Sequence, residues 1–109
     1  KENGVTINGN IMVGKNSRIK NGVKLNGPII IGENCLIESG TIGPNASIGN
    51  NSRIAKCNLS NSIIMEDCEI ELESNIENSI ISKNSKILQK ENVNANNVFL
   101  LGEGTKIYL

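Results

Sequence analysis

The sequence of 109 residues contains no histidine and no tryptophan, and it has only one phenylalanine and one tyrosine. Without imidazole side chains, the chain lacks the commonest general base and the commonest metal ligand of proteins. Without bulky aromatic residues it cannot build an aromatic-rich core, so aliphatic side chains must provide the packing. These absences disfavour histidine-dependent catalysis and exclude metal sites built on histidine.

The chain also has no excess of either charge, since 11 Lys and Arg residues balance 11 Asp and Glu residues. A neutral chain argues against nucleic acid as a partner. No stretch is typical of a signal peptide or a transmembrane span, so we predict no membrane partner. The three cysteines, Cys35, Cys57 and Cys68, are odd in number and lack the CxxC spacing of metal sites. We therefore predict a reducing, cytoplasmic location and no metal or cofactor bound by this chain.

What the chain does have is an aliphatic residue that recurs about every 18 positions, with further aliphatic residues between at multiples of six. This period fits neither an amphipathic helix nor a long two-residue alternation. It fits short strands separated by corners, three to a coil. The sequence therefore predicts an all-β fold, a parallel β-helix of hexapeptide repeats with about six coils, over one domain of residues 1–109. The recurring anchor residues are Val13, Ile31, Ile48, Ile64, Ile81 and Leu101.

Two further recurring positions in the sequence support this prediction. The third residue after each anchor is one that tolerates a positive φ angle, as a tight corner requires: Asn16, Asn34, Asn51, Asp67, Asn84 and Gly104. The fourth is small enough for the inside of such a corner: Ser17, Cys35, Ser52, Cys68, Ser85 and Thr105. The anchor and this fourth residue are predicted to face inward.

The residue before each anchor should face outward, because side chains alternate along a strand. Five of these six residues are large and apolar, whereas the equivalent positions on the two other faces are mostly polar. We call this column the outward stripe, and it consists of Met12, Ile30, Ser47, Ile63, Ile80 and Leu100. A stacked apolar surface of several hundred Å² usually marks an interface. We therefore predict that Met12, Ile30, Ile63, Ile80 and Leu100 bind either copies of this chain, as a trimer first and a dimer second, or a catalytic domain of the same protein.

No catalytic centre is visible in the sequence. The acidic run from Glu66 to Glu73 alternates with inward aliphatic residues, so its members should lie on a solvated face and not around a cation. No glycine-rich phosphate loop of known spacing occurs. The predicted catalytic, cofactor-binding and metal residues are therefore none.

The order of the motifs resembles the C-terminal domain of long-form glucose-1-phosphate thymidylyltransferases. The resemblance is carried by residues 27–35 (GPIIIGENC), 42–49 (IGPNASIG), 61–65 (NSIIM), 76–81 (IENSII) and 99–109 (FLLGEGTKIYL). It implies a left-handed β-helix that follows a nucleotidyltransferase domain, which would join a nucleoside triphosphate to glucose 1-phosphate with Mg²⁺ and release pyrophosphate. The glycine-rich signature of that catalytic domain is absent here, so the resemblance implies a non-catalytic fragment of a longer chain.

Two alternatives remain open at the level of sequence. The first is a hexapeptide-repeat acyltransferase that uses a base other than histidine. The second is a free-standing scaffold. The resemblance favours a C-terminal structural and oligomerisation domain over both.

Overall fold

A computed structural model describes residues 4–89 and the strand of residues 106–108. The described residues form sixteen short strands, and they include no helix that is long and apolar enough to cross a membrane. The strands are β1 (Thr6–Asn8), β2 (Ile11–Val13), β3 (Arg18–Ile19), β4 (Lys24–Asn26), β5 (Ile29–Ile31), β6 (Leu36–Ile37), β7 (Thr41–Ile42), β8 (Ala46–Ile48), β9 (Arg53–Ala55), β10 (Asn58–Ser60), β11 (Ser62–Ile64), β12 (Glu69–Glu71), β13 (Asn75–Glu77), β14 (Ile80–Ile81), β15 (Lys86–Leu88) and β16 (Lys106–Tyr108).

Every third strand pairs in parallel, and this produces three sheets that wrap around one core. The first sheet has the order β1-β4-β7-β10-β13, the second β2-β5-β8-β11-β14, and the third β3-β6-β9-β12-β15-β16. Strands β1 to β15 make five complete coils, and β16 pairs with β15 as part of a sixth. The predicted parallel β-helix is confirmed, and the described residues form about five turns of it where the sequence predicted about six.

The core consists of inward aliphatic columns, one from each sheet. In the second sheet Ile31, Ile48, Ile64 and Ile81 are stacked with at most 2% of each residue exposed. The first coil differs, because the anchor Val13 was predicted to lie inside but is 44% exposed, and Ile7, six residues before it, is 40% exposed. Among the described residues these two have a coil on one side only, so half of their packing partners are missing. Burial in this fold is a property of the stack and not of the single coil.

The corners confirm the predicted backbone chemistry. The five described residues three positions after the anchors have φ angles of 58° to 62°: Asn16, Asn34, Asn51, Asp67 and Asn84. Four more non-glycine residues with positive φ angles, Asn45, Lys56, Asn61 and Asn78, lie at other corners and were not predicted. Asparagine and aspartate adopt this region at low steric cost, which explains why they occupy most of these positions.

Serine and cysteine side chains form a hydrogen-bonded column inside the corner that follows the second sheet. The Ser17 hydroxyl donates to the carbonyl of Gly32 at 2.7 Å, and the Cys35 thiol donates to the carbonyl of Gly49 at 3.1 Å. The Cys35 amide in turn donates to the Ser17 hydroxyl oxygen at 2.9 Å. Each small polar side chain thus ties its coil to the next coil. This is why the position takes serine or cysteine and not alanine.

Candidate functional site

The outward stripe is one continuous surface feature of the second sheet. Parallel pairing places Met12 beside Ile30, Ile30 beside Ser47, Ser47 beside Ile63, and Ile63 beside Ile80. The four large residues are 67%, 56%, 47% and 51% exposed, in chain order. Four of the five predicted interface residues therefore lie together on one face, as the repeat indicated. The fifth, Leu100, lies outside the described residues.

Small inward residues set the direction of the stripe in the later coils. Ser62 and Ser79 are 4% and 9% exposed and face the core, so Ile63 and Ile80, the next residues, face outward. The Ser62 hydroxyl accepts a hydrogen bond from the Ser79 amide at 3.1 Å and donates one to the carbonyl of Ser60 at 2.8 Å. These bonds satisfy the buried hydroxyl, so the apolar side chain and not the serine is presented to the surface.

A shallow groove of about 780 Å³ runs along the stripe. One wall is the stripe itself, and the other is the corner between the first and second sheets, with Asn10, Pro28, Asn45, Asn61 and Asn78. The amide of Asn45 donates to the side-chain oxygen of Asn61 at 3.0 Å. No residue that lines this groove has an ionisable side chain. The groove therefore offers no ionisable group for acid–base catalysis, and its apolar wall suits apolar contact.

On the outer face of the third sheet, ion pairs connect neighbouring coils. Arg53 lies at its centre, with Nε 2.7 Å from Glu38 Oε1, Nη1 3.0 Å from Glu69 Oε2 and Nη2 2.8 Å from Glu71 Oε1. The hydrogen bond from Arg53 lowers the pKa of both Glu38 and Glu71, and the hydrogen bond to Glu38 is the main cause that raises the pKa of Arg53. These contacts connect three successive coils.

The acidic run therefore has a structural partner. Glu69 and Glu71 project from β12 on either side of the buried Ile70, as predicted, and both bind Arg53. Within residues 4–89 no group of three histidine, cysteine, aspartate or glutamate side chains could hold a metal ion. The alternation along the sequence predicts the solvated face but not this ion-pair cluster. The sequence did contain a signal for this cluster: along the outward column of the third sheet, Arg53 is followed one coil later by the oppositely charged Glu69.

The three cysteines are free thiols, and all three are buried. Burial is the main cause that raises the pKa of Cys57 to about 12, and it also raises the pKa of Cys68. A thiol with a raised pKa is a poor nucleophile, because the thiolate is the reactive form. These side chains serve packing and hydrogen bonding, in agreement with the interior positions predicted for Cys35 and Cys68.

One exposed apolar residue was missed. Met65 is 40% exposed and follows the anchor Ile64, at the position where Gly14, Gly32 and Gly49 stand in the first three coils. A Cβ atom on Gly49 would come within 2.6 Å of the Glu66 amide nitrogen, so glycine is required where the corner is tight. Met65 widens the apolar surface beside the stripe at the fourth coil.

Comparison with known proteins identifies one protein family. Residues 25–108 match the family described as the GMPPB C-terminal domain. No curated protein matches the chain. One similar solved structure is a Bacillus cereus protein described as a "putative acetyltransferase"; it is 16% identical, and the match covers 98% of this chain and 76% of that protein with a TM-score of 0.38.

Proposed function

Because the chain belongs to the GMPPB C-terminal domain family, we propose that it is the non-catalytic structural and oligomerisation domain of a sugar-1-phosphate nucleotidyltransferase. The family is of the mannose-1-phosphate guanylyltransferase type and forms a left-handed β-helix associated with nucleotidyltransferases. The motifs of the sequence predict the same kind of domain but as part of a thymidylyltransferase, and the family match supports only the broader class of sugar nucleotidyltransferases. Assays of the full-length enzyme with GTP, dTTP and UTP would identify the nucleotide that it uses.

The observation that carries this proposal is the outward stripe. It is a column of large apolar side chains about half exposed to solvent, and the groove beside it has no ionisable group. A surface of this kind favours association over catalysis, since no ionisable acid or base lines the groove to activate its serine hydroxyls. We propose that the stripe holds a homo-oligomer, a trimer first and a dimer second, and that the parent's N-terminal catalytic domain carries the Mg²⁺ site.

The alternative of an acyltransferase has little support. The groove offers no base to deprotonate an acceptor, and the whole chain has no histidine. Acetyl transfer from acetyl-CoA to a sugar phosphate by this chain, at a rate above the buffer control, would overturn the proposed structural role.

The cysteines support a cytoplasmic location. All three are buried without a disulfide, and a reducing compartment preserves thiols in that form. We propose that the parent enzyme works there.

The test of self-association introduces charge into the stripe. The double variant Ile30→Lys with Ile63→Lys leaves the core unchanged, because both residues face outward. It should convert the oligomer to a monomer, since two ammonium groups would have to be desolvated in the contact. Sedimentation at several concentrations gives the mass, and far-UV circular dichroism checks the fold.

A matched control adds the same charge to the polar face of the first sheet, with Thr41→Lys and Asn75→Lys. This control should keep the oligomeric state of the wild type. If the stripe variant also kept it, the interface would lie elsewhere. If the wild type were a monomer at every concentration, self-association would be wrong, and the catalytic domain would become the partner to test.

A further inference from the structure

An asparagine is followed directly by a glycine at four places in the sequence, at Asn3, Asn8, Asn21 and Asn26. In such a pair the glycine amide nitrogen can attack the side-chain carbonyl carbon of the asparagine, because glycine has no side chain to hinder a close approach. Asn3 lies outside the described residues, and the other three pairs lie within them. If only the dipeptide mattered, these three pairs would react alike, so the stacking of the coils decides any difference between them.

The pair at Asn8 lies at the edge of the first sheet. Among the described strands, β1 pairs with β4 alone, with Asn8 beside Asn26. The Asn8 carbonyl points toward β4, because it accepts a hydrogen bond from the Gly27 amide at 2.6 Å. The C=O and N–H of a trans peptide group point in opposite directions, so the Gly9 N–H points away from β4. It therefore faces the side of β1 on which the described residues provide no neighbouring strand.

The Asn8 side chain is also accessible. Asn8 is exposed, and its Nδ2 donates to Asn26 Oδ1 at 3.2 Å. This hydrogen bond engages the side-chain nitrogen and not the carbonyl carbon Cγ that would be attacked. The two groups that must meet, the Gly9 nitrogen and Asn8 Cγ, thus both lie at the open side of the first coil.

The pair at Asn26 has the same dipeptide but is held on both sides, since β4 lies between β1 and β7. Its attacking group, the Gly27 amide, already donates to the Asn8 carbonyl. A Cβ atom on Gly27 would overlap the backbone of Asn10, so the first coil packs directly against this glycine. The peptide group after Asn26 therefore cannot turn toward the side chain unless the two coils separate.

The pair at Asn21 is intermediate. It lies at the corner between the third and first sheets, where Asn21 is exposed. The Gly22 amide donates to the Gly4 carbonyl at 3.2 Å, a longer bond than that of Gly27. This amide is engaged, but a single long hydrogen bond at a surface corner opens more readily than packed backbone.

We propose that Asn8 is a site of spontaneous modification, at which a succinimide forms and opens to aspartate or isoaspartate. The Gly9 nitrogen gives up its proton and forms a bond to Asn8 Cγ, the bond from Cγ to Nδ2 breaks, and ammonia leaves with that proton. Water, the one co-reactant, then opens the ring. Its addition at Cγ gives aspartate, and its addition at the former backbone carbonyl carbon gives isoaspartate, in which the chain continues through Cγ.

The modification changes the first coil in two ways. Both products add a carboxylate to a coil whose ionisable side chains within residues 5–22 are Lys15, Arg18 and Lys20, all basic. Isoaspartate also adds a carbon to the backbone at the corner between β1 and β2. We expect the first coil to lose protection from hydrogen exchange while the third to fifth coils keep theirs, because each coil contacts only its neighbours.

Site-resolved mass spectrometry tests the proposal on the full chain of 109 residues, incubated at mildly alkaline pH either folded or in urea. Cleavage after lysine places Asn8, Asn21 and Asn26 in different peptides, and fragment ions separate Asn8 from Asn3. In the folded protein Asn8 should convert at least about tenfold faster than Asn26, with Asn21 between them, whereas in urea the three rates should agree within about threefold. Equal rates at Asn8 and Asn26 in the folded protein, or conversion of Asn8 in urea only, would overturn the proposal.

A variant and a second measurement separate the chemistry from its structural cause. Asn8→Gln keeps an amide at this position but would have to close a larger ring, so it should abolish the conversion at residue 8 and leave the rates at Asn21 and Asn26 unchanged. Hydrogen exchange of the unmodified protein should be at least about a hundredfold slower at the Gly27 amide than at the Gly9 amide. A Gly9 amide as protected as that of Gly27 would show that the open side of β1 is not the cause.

Discussion

Replacing Ile31 by alanine, with Ile30→Ala as its partner, tests the register on which the fold and the stripe both depend. The two residues are neighbours on strand β5 and have the same chemistry. Ile31 is 2% exposed in the interior column between Val13 and Ile48, whereas Ile30 is 56% exposed in the outward stripe. Only the direction of the side chain differs.

The expected loss follows from the groups removed. Isoleucine to alanine deletes three carbon groups, worth about 2.4 kcal/mol in transfer at about 0.8 kcal/mol each. At Ile31 a cavity adds to this, because backbone from three sheets encloses the narrow core and cannot collapse, so we expect about 3–4 kcal/mol. At Ile30 less than half of the side chain leaves water on folding, which limits the loss to about 1 kcal/mol.

Urea unfolding followed by circular dichroism measures both free energies of unfolding. The melts are repeated at several protein concentrations, because Ile30 belongs to the stripe and its replacement could also change self-association. The slope of the free energy with urea should not change between variants if both only lose native contacts. Equal losses for the two variants would refute the reasoning, since they would mean that the alternation along β5 is not the one described. Lys15→Ala, on the solvated corner, should stay within about 0.5 kcal/mol of the wild type.

Three further outcomes are expected. Arg53→Gln should weaken the loss of stability at acid pH. The pKa values of Glu38 and Glu71 are lowered in the folded state, so their contribution to stability is present above the ordinary carboxyl pKa and is lost as pH falls through the lowered values. Urea melts of both proteins between about pH 3 and pH 6 measure this difference. Asn51→Ala should cost about 1 kcal/mol because its φ is 61°, whereas Asn51→Gly should cost much less; similar losses would exclude backbone strain as the cause. Cys57, with its pKa raised to about 12 by burial, should resist maleimide at pH 8 in the folded protein and react in urea, as followed by mass spectrometry; rapid labelling of the folded protein would contradict its burial.

The sequence by itself was sufficient to predict the structure of a single coil. The aliphatic anchors, the asparagine or aspartate at the corner and the small residue after it are local requirements, imposed by strand alternation and by a positive φ angle. Asn34 follows Ile31 at the same distance as Asn51 follows Ile48, and both have the predicted backbone. The direction of the stripe followed from the same alternation, which is why Met12, Ile30, Ile63 and Ile80 could be placed before any coordinates.

Only the tertiary structure decided how one coil meets the next. The ion pairs of Arg53 join residues 15 to 18 positions apart and depend on side-chain lengths across stacked strands. The exposure of Val13 depends on whether a coil lies on each side of it, and the asparagine wall of the groove became visible only when Asn10, Asn45 and Asn61 were brought together. A repeat specifies each unit through local geometry, but contacts between units arise from the stacking, which a linear pattern does not encode.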